Sequence, residues 1–268
     1  MSKSKVAVIT GAARGLGAAF ARYAAENDYK TILIDKDEAG LASVESSLAG
    51  VGQEVRCVRA DLSSEPDVGR IEALLLEGEP VDLLINNAGF GYVCKFQNAD
   101  VKRIEQMLFL HVFATMRLCR AALPQMIKRD RGAIINVASA SAFMRFPRDA
   151  AYIASKSFLV SFTECLALDL VDTGVRTQAL CPGWVTSDFT NSEFLRNAGY
   201  KSPIPSWLYI PPETAVRSSM RALKWKSSTH IPTFRARMVA AVIGSRLGRW
   251  MLTIVRRMGI AQYKMPGD

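Results

Sequence analysis

Short apolar runs rich in β-branched residues alternate with amphipathic stretches over most of the chain. Val6–Ile9, Thr31–Ile34, Val55–Val58, Val81–Ile85, Ala133–Val137 and Thr177–Leu180 read as strands. Between them, Ala18–Glu26, Glu38–Leu48, Val68–Leu76, Val101–Arg129 and Ala151–Val171 read as helices. The strand runs are continuously apolar, as expected for a sheet covered on both faces. Strands and helices taking turns predict parallel βαβ units. The expected architecture is α/β: a doubly wound parallel sheet flanked by helices, in a single domain with a C-terminal helical extension.

The chain has 268 residues, 49% hydrophobic and 22% charged, which excludes disordered and collagen-like classes. Its charge is uneven. Residues 1–200 are nearly neutral, whereas residues 201–268 hold 12 basic and 2 acidic side chains. A protein that coats nucleic acid through its whole surface is therefore not expected; the basic surface is local. The five cysteines form no C-x-x-C, and there are only two histidines, His111 and His230. Neither a disulfide scaffold nor a metal site is expected. The first residues run into a strand without a signal-peptide core, and no uncharged apolar stretch reaches about 18 residues. The expected location is cytoplasmic, with peripheral contact at a membrane surface as an alternative.

The first strand ends in Gly11-Ala12-Ala13-Arg14-Gly15-Leu16-Gly17, and a helix follows. Glycines there permit a tight turn and close approach of a pyrophosphate to the helix N-terminus. The second strand ends at Asp35, whose carboxylate suits the ribose hydroxyls of NAD and repels the extra phosphate of NADP. Asp35 also reads as an N-cap for the next helix. Arg14 and Lys36 pull the other way, since either could attract that phosphate. NAD is the expected cofactor, with NADP the alternative.

The T-G-x-x-x-G-x-G spacing resembles the short-chain dehydrogenase/reductase family. Asp61-Leu62, Asn86-Asn87-Ala88-Gly89, Ser139, Tyr152 with Lys156, and Pro182-Gly183 follow in that family's order, over about residues 5 to 190. The resemblance implies a Rossmann-like fold and hydride transfer between a nicotinamide and a carbonyl/alcohol pair. It implies cofactor contacts from Gly11 to Gly17, at Asp61 and Leu62, at Asn87, Ala88 and Gly89, and at Pro182, Gly183, Val185 and Ser187. It also implies a Lys156 contact to the nicotinamide ribose, and homodimers or homotetramers through the two longest helices.

Side-chain chemistry supports the same assignment. Tyr152 and Lys156 are four apart and share a helix face. An ammonium beside a phenol lowers the phenol pKa, which would let Tyr152 act as general acid/base. Ser139 would bind the substrate oxygen. His111 stands where the family usually carries an Asn that orders a water. It could replace that Asn and titrate near neutrality, or be a satisfied core histidine.

Proline is frequent beyond residue 185, which predicts an irregular substrate lid at about 184–212. The lid closes a dinucleotide-binding catalytic domain of residues 1–230, with a basic amphipathic extension at 231–268. Phe143, Met144 and Phe146, together with Phe189, Phe194, Leu195, Trp207, Leu208, Tyr209 and Ile210, suggest a large hydrophobic substrate such as a sterol, acyl compound or xenobiotic. Projected as one helix from Arg235, the tail gathers Arg246, Arg249, Arg256 and Arg257 on one side. Ile243, Leu247, Trp250, Met251, Ile254 and Met258 fall on another. Such a helix would lie on an anionic membrane, or its apolar stripe would pack on the domain or across a dimer.

Overall fold

The computed structural model describes residues 5–186, 205–225 and 227–257. In chain order the strands are β1 (Lys5–Thr10), β2 (Tyr29–Asp35), β3 (Val55–Arg59), β4 (Leu83–Asn86), β5 (Gly132–Val137), β6 (Val175–Leu180), β7 (Trp184–Val185), β8 (Tyr209–Ile210) and β9 (Thr229–His230). Seven of them form one parallel sheet in the order β3-β2-β1-β4-β5-β6-β9, and β7 pairs with β8 alongside. The order reverses between β1 and β4, so the C-terminal ends of these two strands flank a crevice, the usual ligand position in such sheets.

The helices are α1 (Gly15–Glu26), α2 (Glu38–Ser47), α3 (Glu65–Glu77), α4 (Val101–Leu108), α5 (Thr115–Lys128), α6 (Ala150–Asp169), α7 (Pro212–Lys224), α8 (Phe234–Gly244) and α9 (Arg246–Arg257). Alternate strand residues point to opposite faces. Ile9, Leu33, Leu83 and Ile85 pack with Phe20 of α1 and Val216 of α7 on one face. Val8, Ile34, Leu84 and Ile134 pack with Ile71 of α3 and Leu118 and Met126 of α5 on the other. This double coverage explains the unbroken apolar runs.

Asn86 Nδ2 donates to Asn136 Oδ1 at 2.9 Å, and Asn136 Nδ2 donates to Thr163 Oγ1 at 2.9 Å. These buried amides tie β4 and β5 to α6 and hold that helix in register with the sheet. By length and hydropathy Val101–Lys128 and Ala150–Asp169 could cross a membrane, but both lie on the sheet as helices of the domain.

Two expectations are corrected. The predicted helix Val101–Arg129 contains a π-helical turn at Phe109–Ala114, between α4 and α5. The predicted single tail helix is broken at Ser245, which is extended at φ −67° and ψ 160°. The Ser245 hydroxyl accepts from Gly248 N–H at 3.0 Å, an N-cap that starts α9 afresh. The helical phase counted from Arg235 therefore does not carry into α9.

Candidate active site

The glycine loop forms the first wall of the crevice. Gly11 lies at φ +65° and Gly15 at φ +56°, in the left-handed region that glycine tolerates. A Cβ on Gly17 would overlap the Gly11 carbonyl oxygen, so Gly17 lets α1 start tight against the loop. Asn87 Nδ2 donates to the Thr10 and Gly11 carbonyls at 3.0 Å each. Thr10 Oγ1 accepts from the N–H groups of Asn87 and Ala88. These bonds fasten the loop to the turn after β4 and use the Asn87 side chain as a brace.

The N-terminus of α1 fits a diphosphate. Arg14 at the N-cap gives no side-chain capping bond, and the first turn, which includes Leu16, has no acidic residue. Apart from the Asp35 carboxylate at Ala13 N–H, just before the N-cap, no acidic side chain of the first turn competes for the leading N–H groups and the positive end of the helix dipole.

Asp35, at the end of β2, is half-buried beside this loop. Its Oδ2 accepts from Ala13 N–H at 3.1 Å and its Oδ1 from Asp37 N–H at 3.1 Å. The N-cap reading of Asp35 is corrected: Asp37 caps α2 by accepting from Gly40 N–H. Lys36 Nζ lies 3.7 Å from Asp61 Oδ2, beyond the ends of the adjacent strands β2 and β3. Burial pushes the Asp61 carboxyl up, but hydrogen bonds from Ser63 and the charge of Lys36 leave it below its ordinary value. Leu62 is buried and packs in the core beside Ala60 and Val68. Arg14 is exposed.

Ser139 follows β5 and opens a 3-10 turn, Ala140–Phe143. Its Oγ accepts from Ser141 N–H at 3.2 Å and from the Ser141 hydroxyl at 2.9 Å, and it is hydrogen-bonded to the Tyr152 phenol. Lys156 is buried one turn further along α6. Its Nζ donates to the Val137 carbonyl at 2.9 Å and lies 5.8 Å from the centre of the Tyr152 ring. Burial lowers the Lys156 pKa to about 8. The expectation that Lys156 depresses the Tyr152 pKa is corrected. Burial raises it above its ordinary value, and the nearby Asp149 carboxyl adds to that, while only the Ser139 hydrogen bond opposes them.

His111 sits in the π turn and is buried against Gly89. A Cβ on Gly89 would lie 2.7 Å from His111 Nε2, so glycine leaves the ring its place. Nε2 accepts from Phe90 N–H at 3.2 Å. Nδ1 is 2.9 Å from Ser155 Oγ, which itself donates to the Tyr152 carbonyl at 2.7 Å. This pattern requires a neutral ring with its proton on Nδ1. Titration near neutrality is therefore corrected: burial, then the charge of Lys156, holds His111 well below its ordinary value.

Pro182 and Gly183 follow β6, and the Pro182 carbonyl accepts from Ala140 N–H at 2.8 Å. Val185 pairs with Ile210 in the short parallel ladder of β7 and β8. Ser187 lies outside the described residues, as do Phe189, Phe194 and Leu195. The elements above bring Ser139, Tyr152, Lys156, His111 and Gly89 together at the sheet's C-terminal edge.

Three participants escaped the sequence reading. Ser155 links His111 to α6, and Ser141 donates to Ser139. Asp149, just before α6, is raised to about 6 by burial. Ser155 lies within the Tyr152–Lys156 motif, so its position was visible although its partner was not.

A family model described as short chain dehydrogenase matches residues 5–198. D-beta-hydroxybutyrate dehydrogenase of Cupriavidus necator is 31% identical over 197 residues, covering 72% of this chain and 75% of that protein. Very-long-chain 3-oxoacyl-CoA reductase of Bos taurus is 28% identical over 250 residues, covering 91% and 76%. A short chain dehydrogenase/reductase of Burkholderia phymatum, solved with NAD, is 27% identical with a TM-score of 0.78, covering 89% of this chain and 92% of that one. The chain belongs to the short chain dehydrogenase family and is an oxidoreductase acting on CH–OH or keto groups with a nicotinamide dinucleotide.

Proposed function

We propose that the protein transfers hydride between NAD(H) and the carbonyl or alcohol of a hydrophobic substrate, with Tyr152 as general acid/base. The observation that carries this reading is the meeting of the Ser139 hydroxyl and the Tyr152 phenol over buried Lys156. When bound, the dinucleotide supplies or accepts the hydride. Gly11, Gly15, Gly17 and the N–H groups of α1 would hold its diphosphate, Asp35 its ribose hydroxyls, and Lys156 the second ribose. Ala88 and Gly89 would line the nicotinamide side, with Pro182, Gly183 and Val185 as further contacts.

Ser139 donates to the substrate oxygen and stabilises its developing negative charge. Tyr152 gives its proton to that oxygen during reduction and takes it back during oxidation. A phenol held above its ordinary pKa by burial stays protonated at neutral pH, which favours the reducing direction. Phe143, Met144, Phe146 and Trp184 pack together beside Ser139 and support an apolar substrate. The likeness to a very-long-chain 3-oxoacyl-CoA reductase points the same way.

An NADPH-dependent reductase of lipid-like carbonyls is the second reading, supported by exposed Arg14 beside the loop. Against it, Lys36 already faces Asp61. A dinucleotide-binding sensor with little turnover is a third, and the assembled Ser139–Tyr152–Lys156 group speaks against it. Exposed Phe113 in the π turn, Leu168 near the end of α6 and Val171 just after it support a homodimer or homotetramer. Turnover of NADH and NADPH with a panel of hydrophobic ketones and alcohols tests the proposal. Turnover with NADH supports it, and binding of cofactor without turnover of any panel member overturns it.

A further inference from the structure

Helix α8 has two unlike faces. On the inner one, Ala236 and Ala240 are buried, with Val239 and Ile243 packed beside Met144 and Trp184. The fit is close: a Cβ on Gly183 would lie 2.9 Å from the Ala236 Cβ. This face forms the back of the wall that continues from Ser139. The outer face carries Phe234, Met238 and Val242 one helical turn apart, exposed to 67%, 48% and 58%. Arg235 and Arg237 are exposed on the same helix, and the Arg235 guanidinium lies 5.6 Å over the Trp207 ring. Beyond the Ser245 break, α9 exposes Leu247, Trp250 and Met251 to 64%, 61% and 53%, next to exposed Arg246.

We infer that the outer faces of α8 and α9 dock on an anionic lipid surface and hold the catalytic domain there, so that a lipid-dissolved carbonyl or alcohol reaches Tyr152 from the bilayer. The substrate part rests on the function proposed above; the docking part does not.

Charge complementarity selects this occupant. No acidic residue lies between Glu213 and Asp268, and residues 201–268 hold 12 basic side chains. Two-fold pairing of this face with a second copy would set arginines against arginines, with no carboxylate to answer them. An anionic headgroup layer takes those arginines at its surface and the Phe, Trp and Met side chains just below it. The break at Ser245 separates α8, apolar on both its buried and its exposed side, from α9, whose sequence is strongly two-faced.

The test is flotation of the full-length protein with vesicles of phosphatidylcholine alone or mixed with phosphatidylserine. The parent is expected to float at least about tenfold more with the anionic vesicles, and less as salt rises. The double variant Met238→Glu/Trp250→Glu is expected to lose that binding while keeping its turnover of a short, water-soluble ketone within about twofold. Equal flotation with both vesicles, no flotation, or a variant that floats like the parent would overturn the docking proposal. So would light scattering in which the double substitution instead halves the particle mass, since a second copy would then cover the face. A parent that floats but reduces no ketone fells the proposed activity and leaves docking standing. A parent that reduces the soluble ketone without floating does the reverse. Reduction of a long-chain ketone dissolved in anionic vesicles is expected to fall at least about tenfold in the double variant; an equal rate would overturn delivery from the bilayer.

Discussion

His111 Nδ1 lies 2.9 Å from Ser155 Oγ, and through this contact the turn after β4 is tied to the first turn of the helix that carries Tyr152. The ring accepts from Phe90 N–H on one side, and Ser155 donates to the Tyr152 carbonyl on the other. His111→Ala breaks both links and leaves the partly buried Phe90 N–H without this partner, at a stability cost of about 1 kcal/mol. Tyr152 then loses its fixed position, and kcat is expected to fall about 10- to 100-fold with little change in dinucleotide affinity. No inflection near neutral pH in the parent profile should vanish in this variant, because the ring stays neutral. Stopped-flow reduction across pH checks both points.

Asp149 gives a pH dependence with a definite sign. Its carboxyl is raised to about 6 by burial. Above that pH it is charged and opposes ionisation of Tyr152. Asp149→Asn is expected to speed alcohol oxidation at pH 8 by about two- to fivefold and to leave carbonyl reduction unchanged. The folded value lies above the unfolded one, so ionised Asp149 destabilises the fold. That cost grows as pH rises from about 4 to about 6 and is constant above. Thermal unfolding should therefore show Asp149→Asn more stable than the parent at pH 8, with the two converging at pH 4.

Two glycines are set by close approach. Gly17→Ala places a Cβ on the Gly11 carbonyl, which should weaken NADH binding by at least about tenfold in a fluorescence titration. Gly89→Ala drives a Cβ to 2.7 Å from His111 Nε2, and should instead lower kcat by disturbing Phe90 and Tyr152. The contrast between lost affinity and lost turnover separates the two ends of the crevice.

Cofactor preference follows from Asp35 at the ribose end of the loop. NADH is expected to bind at least about tenfold more tightly than NADPH, since a second phosphate would meet this carboxylate. Asp35→Ser should narrow that ratio to within about threefold, while also loosening Ala13, whose N–H it accepts. Tighter binding of NADPH by the parent would favour the second reading, with Arg14 as the phosphate contact.

Much of this was legible in the sequence. Six strands alternating with helices followed from the apolar runs, and the site motifs fell at strand ends and on one helix face. What escaped depended on contacts distant in sequence. The π turn is written in an apolar stretch, Phe109–Ala114, that reads like any buried helix. The partners of His111 are a backbone N–H 21 residues away and a hydroxyl 44 residues away. Strand β9 has only two residues, too few for periodicity to reveal. Lys156 was expected to govern Tyr152 by charge, whereas burial of the pair dominates both groups. The tail's break came from a serine that caps α9, a signal that helical projection alone ignores.

The most direct measurement compares the parent with Tyr152→Phe for turnover of NADH with a hydrophobic ketone, alongside NADH affinity. The expected result is a fall in kcat of about a thousandfold or more, with the dissociation constant for NADH unchanged within about twofold. A Tyr152→Phe enzyme that reduces the ketone at the parent rate would contradict proton transfer by Tyr152.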